Sequence, residues 1–325
     1  MSSPTSSAAP LADYQTLQTS AAVIRLPRTQ VAITGEDRLT FLNAFCTGDL
    51  KRIQPGSGCE AFITNHQGKA AGHVLIFCEA DRLLLDGAPG QAEKLIAHLD
   101  RFVISERVTF ADLSATDDEL LLAGPAAAAV LQKLNITPPT ARLQHASAQL
   151  GNVRVSIRNV DFLSVPAFLL SAPTAEIGAV EQSLLAAGAL PGSEAAFEIA
   201  RVEAGYPIFG RDITDDNLPQ EVQRNEQAIS FTKGCYLGQE TIARLDALGH
   251  VNRVLTGLKL PAGHGLAPGA VITAGDKKLA QITSIAYSPR LQADLALAYV
   301  RTLHATPGKK LAIDGGEAEV VTLPL

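Results

Sequence analysis

Hydrophobic and polar positions divide the chain into two parts with different patterns. Up to about residue 247, apolar runs typical of strands, such as 22–34 and 73–79, alternate with single segments of helical spacing. Beyond that point, short runs between Gly, Pro and Asp turns recur about every 8–12 residues, which is typical of a small antiparallel sandwich or barrel. The pattern predicts an α+β domain over residues 21–247 and a separate β domain over 248–325.

The first twenty residues carry neither pattern. They lack the basic residues and apolar core of a signal peptide. We therefore expect a disordered tail over residues 1–20. No uninterrupted apolar run approaches the roughly 18 residues of a membrane-spanning helix, and a cytoplasmic location with free thiols is expected.

Composition and charge narrow the classes of function. Apolar residues make up 46% of the chain, and 33 acidic against 27 basic residues give a net charge of −6. A mildly acidic chain is not expected to bind nucleic acid in general, because that affinity comes from neutralising phosphates. The 4 cysteines and 7 histidines form no pair with metal-site spacing, so no intrinsic metal is expected.

The segment RVEAGYPIFGRD contains an acid in an unfavourable place. Its first residues continue a predicted helix that ends at Gly205, so Glu203 lies in the last turn. An acid there opposes the helix dipole by about 0.3–1 kcal/mol. One interpretation is that its carboxylate binds a ring edge with two adjacent N–H donors, as guanine and pterin rings have. The other is that Glu203 pairs with Arg201 or Arg211, or is solvated.

A second segment, FTKGCYLGQE, carries a candidate reactive thiol. It predicts a turn followed by a helix from about Gly238, with Gln239 and Glu240 in the first turn. Cys235 precedes that helix and lies two residues from Lys233, and both features favour a thiolate. The alternative is an ordinary turn with a buried, inert cysteine. The residues alone do not decide between the two.

Together these segments resemble a known family. RVEAGYPIFGRD, ISFTKGCYLGQETIARL and HVNRVLTGL look like the YgfZ-type folate-binding proteins, relatives of the glycine-cleavage T-protein (aminomethyltransferase). The KGCYxGQE string is specific for the YgfZ-like branch. GEDRLTFLNAFCTGDL resembles the family's first helix and T-N-D segment, with Gly48 in place of Asn, and TNHQGKAAGHVLIF resembles its hairpin. The resemblance runs from about residue 22 to the C-terminus.

The resemblance implies a fold and a role. The fold is a T-protein-like α+β body whose subdomains, one of them ferredoxin-like, form a ring around a central folate pocket. A C-terminal β-barrel follows it. The ligand is tetrahydrofolate or another reduced folate, and Glu203 looks like the family's pterin-binding carboxylate. YgfZ-like proteins assist iron–sulfur proteins, chiefly [4Fe–4S] enzymes such as the radical tRNA thiolases. Their clients or assembly proteins are therefore the implied partners.

The same resemblance assigns Cys235 as the functional thiol, which either ligates a cluster transiently or takes part in a redox step. Lys233 would tune it. Since folate has an anionic glutamate tail, basic side chains are expected at the pocket rim. The predicted folate-binding set around Glu203 is Tyr206, Arg211, Gln239, Glu240, Arg244 and Arg253.

One departure from the T-proteins bears on activity. Where their hairpin carries two aspartates, the first of which assists the folate nitrogen, this chain has Gly72 and His73. This argues against aminomethyl transfer. A folate-dependent one-carbon transferase or demethylase stays open as the alternative, with His73 or Asp86 as its acid–base group. A third hypothesis is a folate-binding module that regulates a partner without using Cys235.

Overall fold

The structure is a computed structural model, and it describes residues 8–249 and 251–325. The helices of this part of the chain are α1 (Ala8–Thr19), α2 (Arg38–Asn43), α3 (Ala92–Asp100), α4 (Ala127–Lys133), α5 (Ile177–Ala186), α6 (Glu194–Ala204), α7 (Asn225–Ala228) and α8 (Gln239–Leu248). Two short 3-10 helices span Pro219–Val222 and Thr302–His304.

The strands of the first 250 residues are β1 (Ala22–Arg25), β2 (Thr29–Thr34), β3 (Gly58–Thr64), β4 (Ala70–Cys78), β5 (Arg82–Gly87), β6 (Thr109–Asp112), β7 (Asp117–Ala123), β8 (His145–Leu150), β9 (Val153–Val160), β10 (Ala167–Pro173) and β11 (Leu190–Pro191). The remaining strands are β12 (Arg253–Lys259), β13 (Val271–Ala274), β14 (Lys277–Ser288), β15 (Ala293–Arg301), β16 (Lys310–Ile313) and β17 (Gly316–Val321).

Two sheets form the α+β body. Sheet 1 has the order β11-β1-β7-β10-β9-β8 and sheet 2 the order β3-β4-β5-β2-β6. Neighbouring strands are antiparallel except β1 and β11. The third sheet, β13-β14-β15-β12-β17-β16, has its outer strands β13 and β16 in contact and forms a near-closed barrel. The predicted α+β body and C-terminal barrel are confirmed.

Strand β4 lies between β3 and β5 in sheet 2 and is buried along its whole length. Leu75 and Phe77 pack on one side with β1 and α6, whereas Val74 and Ile76 pack on the other with α2 and α3. Burying each large apolar side chain stabilises the fold by about 1.5–3 kcal/mol. Because both faces of β4 are covered, its polar positions are also fixed in place.

The expectation of a disordered tail is wrong for residues 8–19, which form α1. Tyr14 and Leu17, three residues apart on one helix face, are buried against α6 in the core between the sheets. The Ala- and Ser-rich sequence around them hides this short apolar face. Residues 1–7 lie outside the described residues.

Replacing Leu17 with alanine tests whether α1 is part of the core. We expect Leu17→Ala to lower the free energy of unfolding by about 2–5 kcal/mol, because Leu17 has no exposed surface and its loss leaves a cavity. Chemical denaturation measures the change. The control is Gln15→Ala, which alters an exposed position of the same helix. Equal stability of the two variants would show that α1 does not dock.

Candidate functional site

A cleft opens where α6, the loop after it and the β1–β2 loop meet β4. Its walls are apolar and aromatic, with Phe197, Tyr206 and Phe209 among them. Its polar lining residues are Arg28, His73, Glu194, Glu198 and Arg211. Apolar and aromatic walls with a few polar groups are typical of a small-molecule site. Two members of the predicted folate-binding set, Tyr206 and Arg211, lie on this cleft.

A buried carboxylate lies beneath the floor of the cleft. Glu60 on β3 is fully buried and accepts hydrogen bonds from His73 Nε2 at 2.7 Å and from the guanidinium groups of Arg142 and Arg224. Burial alone would raise the pKa of Glu60, but the donors from Arg224 and His73 outweigh it and hold that pKa well below its ordinary value. Arg224 also lies over the Tyr206 ring, 5.0 Å from its centroid.

Asp86, the other acid–base candidate named from the sequence, is committed to ion pairs. It is fully buried, and its carboxylate accepts from Arg28 Nε at 2.5 Å and from Arg158 at 3.2 Å. It does not line the cleft. Asp86 therefore positions the Arg28 side chain, and Arg28 reaches the cleft.

Glu203 is not among the residues that line the cleft. Its carboxylate is buried and accepts hydrogen bonds from Tyr14 of α1 and from Ser288, the last residue of β14, both at 2.5 Å. The predicted pairing with Arg201 or Arg211 does not occur, because both of those side chains bind Glu198. As predicted, α6 ends at Gly205, which has a φ of 72°. Glu203 therefore joins three distant parts of the chain.

Lys233 anchors the FTKGCYLGQE segment to the loop after α2. Its ammonium is buried and donates to the carbonyl oxygens of Asn43, Cys46 and Gly48 at 2.8, 2.9 and 2.5 Å. An ammonium has three N–H donors, so Lys233 has none left for the Cys235 thiol. These hydrogen bonds give Lys233 an anchoring role, and tuning of the Cys235 thiol by its charge stays a prediction. Desolvation also lowers the pKa of Lys233.

The same segment is fixed a second time on the β3–β4 hairpin. Thr64 donates its hydroxyl to the carbonyl of Leu237 at 2.6 Å. Gly238 has a φ of 78°, and a Cβ there would lie 2.4 Å from the carbonyl oxygen of Asn65. Only glycine fits this approach without a backbone shift. The hairpin, the loop after α2 and the FTKGCYLGQE segment thus meet at one place.

Cys235 projects from this fixed segment as the one exposed cysteine, while Cys46 and Cys78 are buried and Cys59 is partly so. Burial raises the pKa of the Cys46 thiol to about 11, which makes it a poor nucleophile and ligand. The exposure of Cys235 contradicts the alternative of a buried cysteine, and the reactivity of its thiol stays a prediction.

The remaining members of the predicted folate-binding set lie away from the cleft. Gln239, Glu240 and Arg244 belong to α8, and the last two are exposed. Arg253 is on the barrel, where it donates to Glu221 at 2.9 Å and lies over the Tyr299 ring. Among residues 8–249 and 251–325, no group of three or more His, Cys, Asp or Glu side chains is arranged to hold a metal ion.

Several residues that shape the site were not identified from the sequence. They are Tyr14, Arg28, Glu60 and Arg224. No local motif marks them, because each acts through a partner that is distant in sequence. A charged residue within an otherwise apolar strand can indicate a buried ion pair. Of these four residues, Glu60 in the CEAFIT strand has this pattern.

Removing the Glu203 carboxylate distinguishes a structural role from ligand binding. We expect Glu203→Ala to lower the free energy of unfolding by about 1–3 kcal/mol, because the Tyr14 and Ser288 hydroxyls lose their acceptor in the interior. Glu203→Gln, which keeps one acceptor oxygen, is the control and should lose less. Thermal and chemical denaturation give the values. Unchanged stability of Glu203→Ala would contradict the structural role.

Removing the Lys233 ammonium tests the anchor. Lys233→Met removes the ammonium donor from three inward-facing carbonyl groups, so we expect a loss of about 2–3 kcal/mol in unfolding free energy. Amide exchange over residues 230–238 should quicken as well. Lys51→Met, at an exposed lysine next to the segment, is the matched control. Equal exchange in both variants would show that the lysine anchors nothing.

Comparison with known proteins agrees with this architecture. The family model described as the GCVT N-terminal domain matches residues 7–233, and the model described as the glycine cleavage T-protein C-terminal barrel domain matches residues 253–325. The crystal structure of glycine cleavage system aminomethyltransferase T from Bartonella henselae superposes with a TM-score of 0.80 over 97% of this chain and 89% of that one, at 20% identity. That likeness shows the fold.

The relatives found by sequence have low sequence identity to this chain but match most of its length. A chloroplastic protein of Arabidopsis thaliana with a provisional transferase name is 27% identical over 87% of this chain, and the match spans 66% of that protein's length, just under two thirds. The aminomethyltransferase of Mycobacterium avium is 26% identical over 90% of this chain and 80% of its own length. Since the N-terminal model alone covers more than half of the chain, the chain belongs to the glycine cleavage T-protein family, with its GCVT N-terminal domain and C-terminal barrel domain.

Proposed function

We propose that this protein is a folate-binding member of the family, of the YgfZ type, that supports the assembly or maintenance of iron–sulfur proteins. Its clients would be chiefly [4Fe–4S] enzymes, including radical enzymes that modify tRNA. The observation that carries the proposal is the exposed Cys235 on a segment fixed by Lys233 and Gly238. A thiol held at the surface in this way suits contact with a partner protein.

The proposed ligand is tetrahydrofolate or another reduced folate, and the aromatic lining of the cleft supports this proposal. Phe197, Tyr206 and Phe209 offer faces for a planar ring, while Arg211 at the cleft offers a positive charge to an anionic tail. Glu203 does not line this cleft, and its two oxygens each accept a hydrogen bond in the interior, from Tyr14 and Ser288. A folate bound here would serve as a carrier of one-carbon groups, and the residues of the cleft would orient the folate.

The carboxylates near the cleft argue against aminomethyl transfer. Asp86 and Glu60 are buried in ion pairs with arginines. Glu198 is paired with Arg201 and Arg211. Among the lining residues that the structure describes, Glu194 is the carboxylate without such a pair, and it is exposed at the start of α6. Strand β4 itself carries no acidic residue, whereas the T-proteins have two aspartates in this hairpin.

Cys235 would contact a cluster as cargo rather than hold one as a resident group. A [4Fe–4S] cluster takes four cysteine ligands in its usual form, and the other three cysteines are wholly or partly buried. A client or assembly protein would therefore supply the remaining ligands. The proposal has two forms. In one the thiol ligates the cluster, and in the other it exchanges electrons with the partner. A cytoplasmic location stays a prediction; no described helix is long and apolar enough to cross a membrane.

The second candidate is a folate-dependent one-carbon transferase or demethylase with an altered site. The observation in its favour is that His73 lines the cleft. Formation of methylene-folate from an aminomethyl donor or an N-methyl amine would support it over the first proposal. A folate-binding regulator that does not use Cys235 is the third.

Replacing Cys235 tests the leading proposal. We expect Cys235→Ser to bind reduced folate and unfold as the wild type does, because Cys235 is exposed and does not line the cleft. In a strain that lacks the native protein, it should fail to restore [4Fe–4S] enzyme activity.

The matched control is Thr232→Ala, an exposed position in the same segment, which should restore that activity. Full restoration of [4Fe–4S] enzyme activity by Cys235→Ser would show that the thiol is not essential. Measured folate binding by that same variant would then favour the regulator.

A further inference from the structure

A recess on the barrel opens at one end of β12, β14 and β15. Its charged lining residues are basic: Arg253 begins β12, Lys278 is the second residue of β14, and Arg301 ends β15. Tyr299 forms part of its wall. The recess holds about 360 Å³, and none of the described residues that line it also lines the cleft beside α6. It is therefore a separate candidate site.

The strand register brings the two arginines of the recess together. Arg253 on β12 is directly opposite Arg301 on β15, and Leu255 is opposite Tyr299. Because side chains alternate along a strand, Tyr299 and Arg301 lie on the same face of β15, beside Arg253. Like charges directly opposite each other destabilise an antiparallel pair. This part of the barrel thus gains stability from an anion placed between them.

The cations of the recess keep free hydrogen-bond donors. Arg253 Nε donates to Glu221 at 2.9 Å, and Arg301 Nε donates to the Lys278 carbonyl at 2.6 Å. The Lys278 ammonium donates to Gln281 at 2.7 Å and has two further N–H groups. Within the described part of the chain, the terminal nitrogens of both arginines form no hydrogen bond. These donors are left for a ligand.

Positive charge at the recess exceeds the negative charge paired with it. Among the described residues, Glu221 is the one carboxylate that forms an ion pair with any of the three cations. Asp216 also acts on the charge of Arg253, but it pairs with Lys69 at 3.1 Å. Three cations against one paired carboxylate leave an excess of two positive charges. A recess with this balance attracts an anion.

The hydroxyl of Tyr299 is a second, independent indication of a ligand. Tyr299 is 5% exposed, and its buried Oη has no hydrogen-bond partner among the described residues. Burial raises the pKa of Tyr299 above its ordinary value, so the hydroxyl keeps its proton and can donate. Leaving a buried O–H without an acceptor is unfavourable. An oxygen of a bound anion is the acceptor that this group lacks.

We propose that the recess binds the phosphate group of a small phosphate ester. The donors are the terminal N–H groups of Arg253 and Arg301, the Lys278 ammonium and the Tyr299 hydroxyl. A phosphate has oxygens that point in several directions, so it can accept from donors on three strands at once. The arginine fork also matches two phosphate oxygens.

A phosphate group can come from a small ester or from a nucleic-acid backbone, and the recess favours the small ester. Its cations cluster around one cavity at a strand end. Backbone binding takes many phosphate contacts along an extended basic surface, whereas the chain has a net charge of −6. The proposal is independent of the folate ligand, since the two sites share no lining residue among those described.

Titration of the full-length protein with inorganic phosphate tests the site, by calorimetry at neutral pH and at an ionic strength held constant with chloride. We expect saturable binding of one phosphate per chain. Arg301→Gln should weaken it about tenfold or more, because a charged donor pair is lost. Tyr299→Phe should weaken it about fivefold. Without phosphate, Tyr299→Phe should unfold as the wild type does, since its hydroxyl has no partner to lose.

The matched control is Lys309→Gln, which removes one charge from an exposed position of the same barrel outside the recess and should bind as the wild type does. Equal weakening in Lys309→Gln and Arg301→Gln would show general charge attraction and overturn the site. Unchanged affinity in Tyr299→Phe, or no saturable binding in the wild type, would overturn it as well.

The source of the phosphate is tested by competition. A short single-stranded RNA, matched in phosphate concentration, should displace inorganic phosphate no better than a sugar phosphate does. Stronger displacement by the RNA would overturn the assignment to a small ester. Each of these results leaves the folate proposal untouched, because folate binding is measured at the other site.

Discussion

Burial of the Glu60 carboxylate is the constraint on which the site depends. An unpaired charge in the interior costs far more than a fold of this kind can supply. Its donors come from β4, from the segment before β8 and from the segment before α7. The two sheets and the connecting segment must therefore dock together before the charge is satisfied. This docking also fixes the floor of the cleft, because His73 and Arg224 both donate to Glu60 and both lie next to Tyr206.

Local patterns were sufficient for the barrel and most of the body, because each strand there is marked by its own apolar run and its own turn. They failed for α1. Its stability comes from Tyr14 and Leu17 packing on α6, which lies nearly two hundred residues later. Nothing in the Ser- and Ala-rich neighbourhood encodes that contact. A short helix with two anchoring side chains looks like a tail until its partner is in place.

The candidate site divides in the same way. The sequence identified unusual residues, including Glu203, Lys233 and Cys235, but not their partners. Lys233 binds three backbone carbonyls, and a carbonyl exists at every position, so no residue pattern reveals which ones. Glu203 binds hydroxyls from opposite ends of the chain. The residues left the exposure of Cys235 undecided, because the contacts that fix its segment, such as those of Lys233 with the loop after α2 and of Thr64 with Leu237, also come from distant parts of the chain.

The contacts around Glu203 also bring distant ends of the chain together. Arg290 donates to Gln18 of α1 and to the carbonyl of Leu325, and the Leu325 N–H donates to the Glu203 carbonyl. During synthesis α1 leaves the ribosome long before α6, the turn after β14 or residue 325 exists. Its apolar face must stay undocked for most of translation, since domains fold as their partners emerge. Helix α1 thus precedes most of the described chain in synthesis and is among the last of the described helices to acquire its full set of contacts.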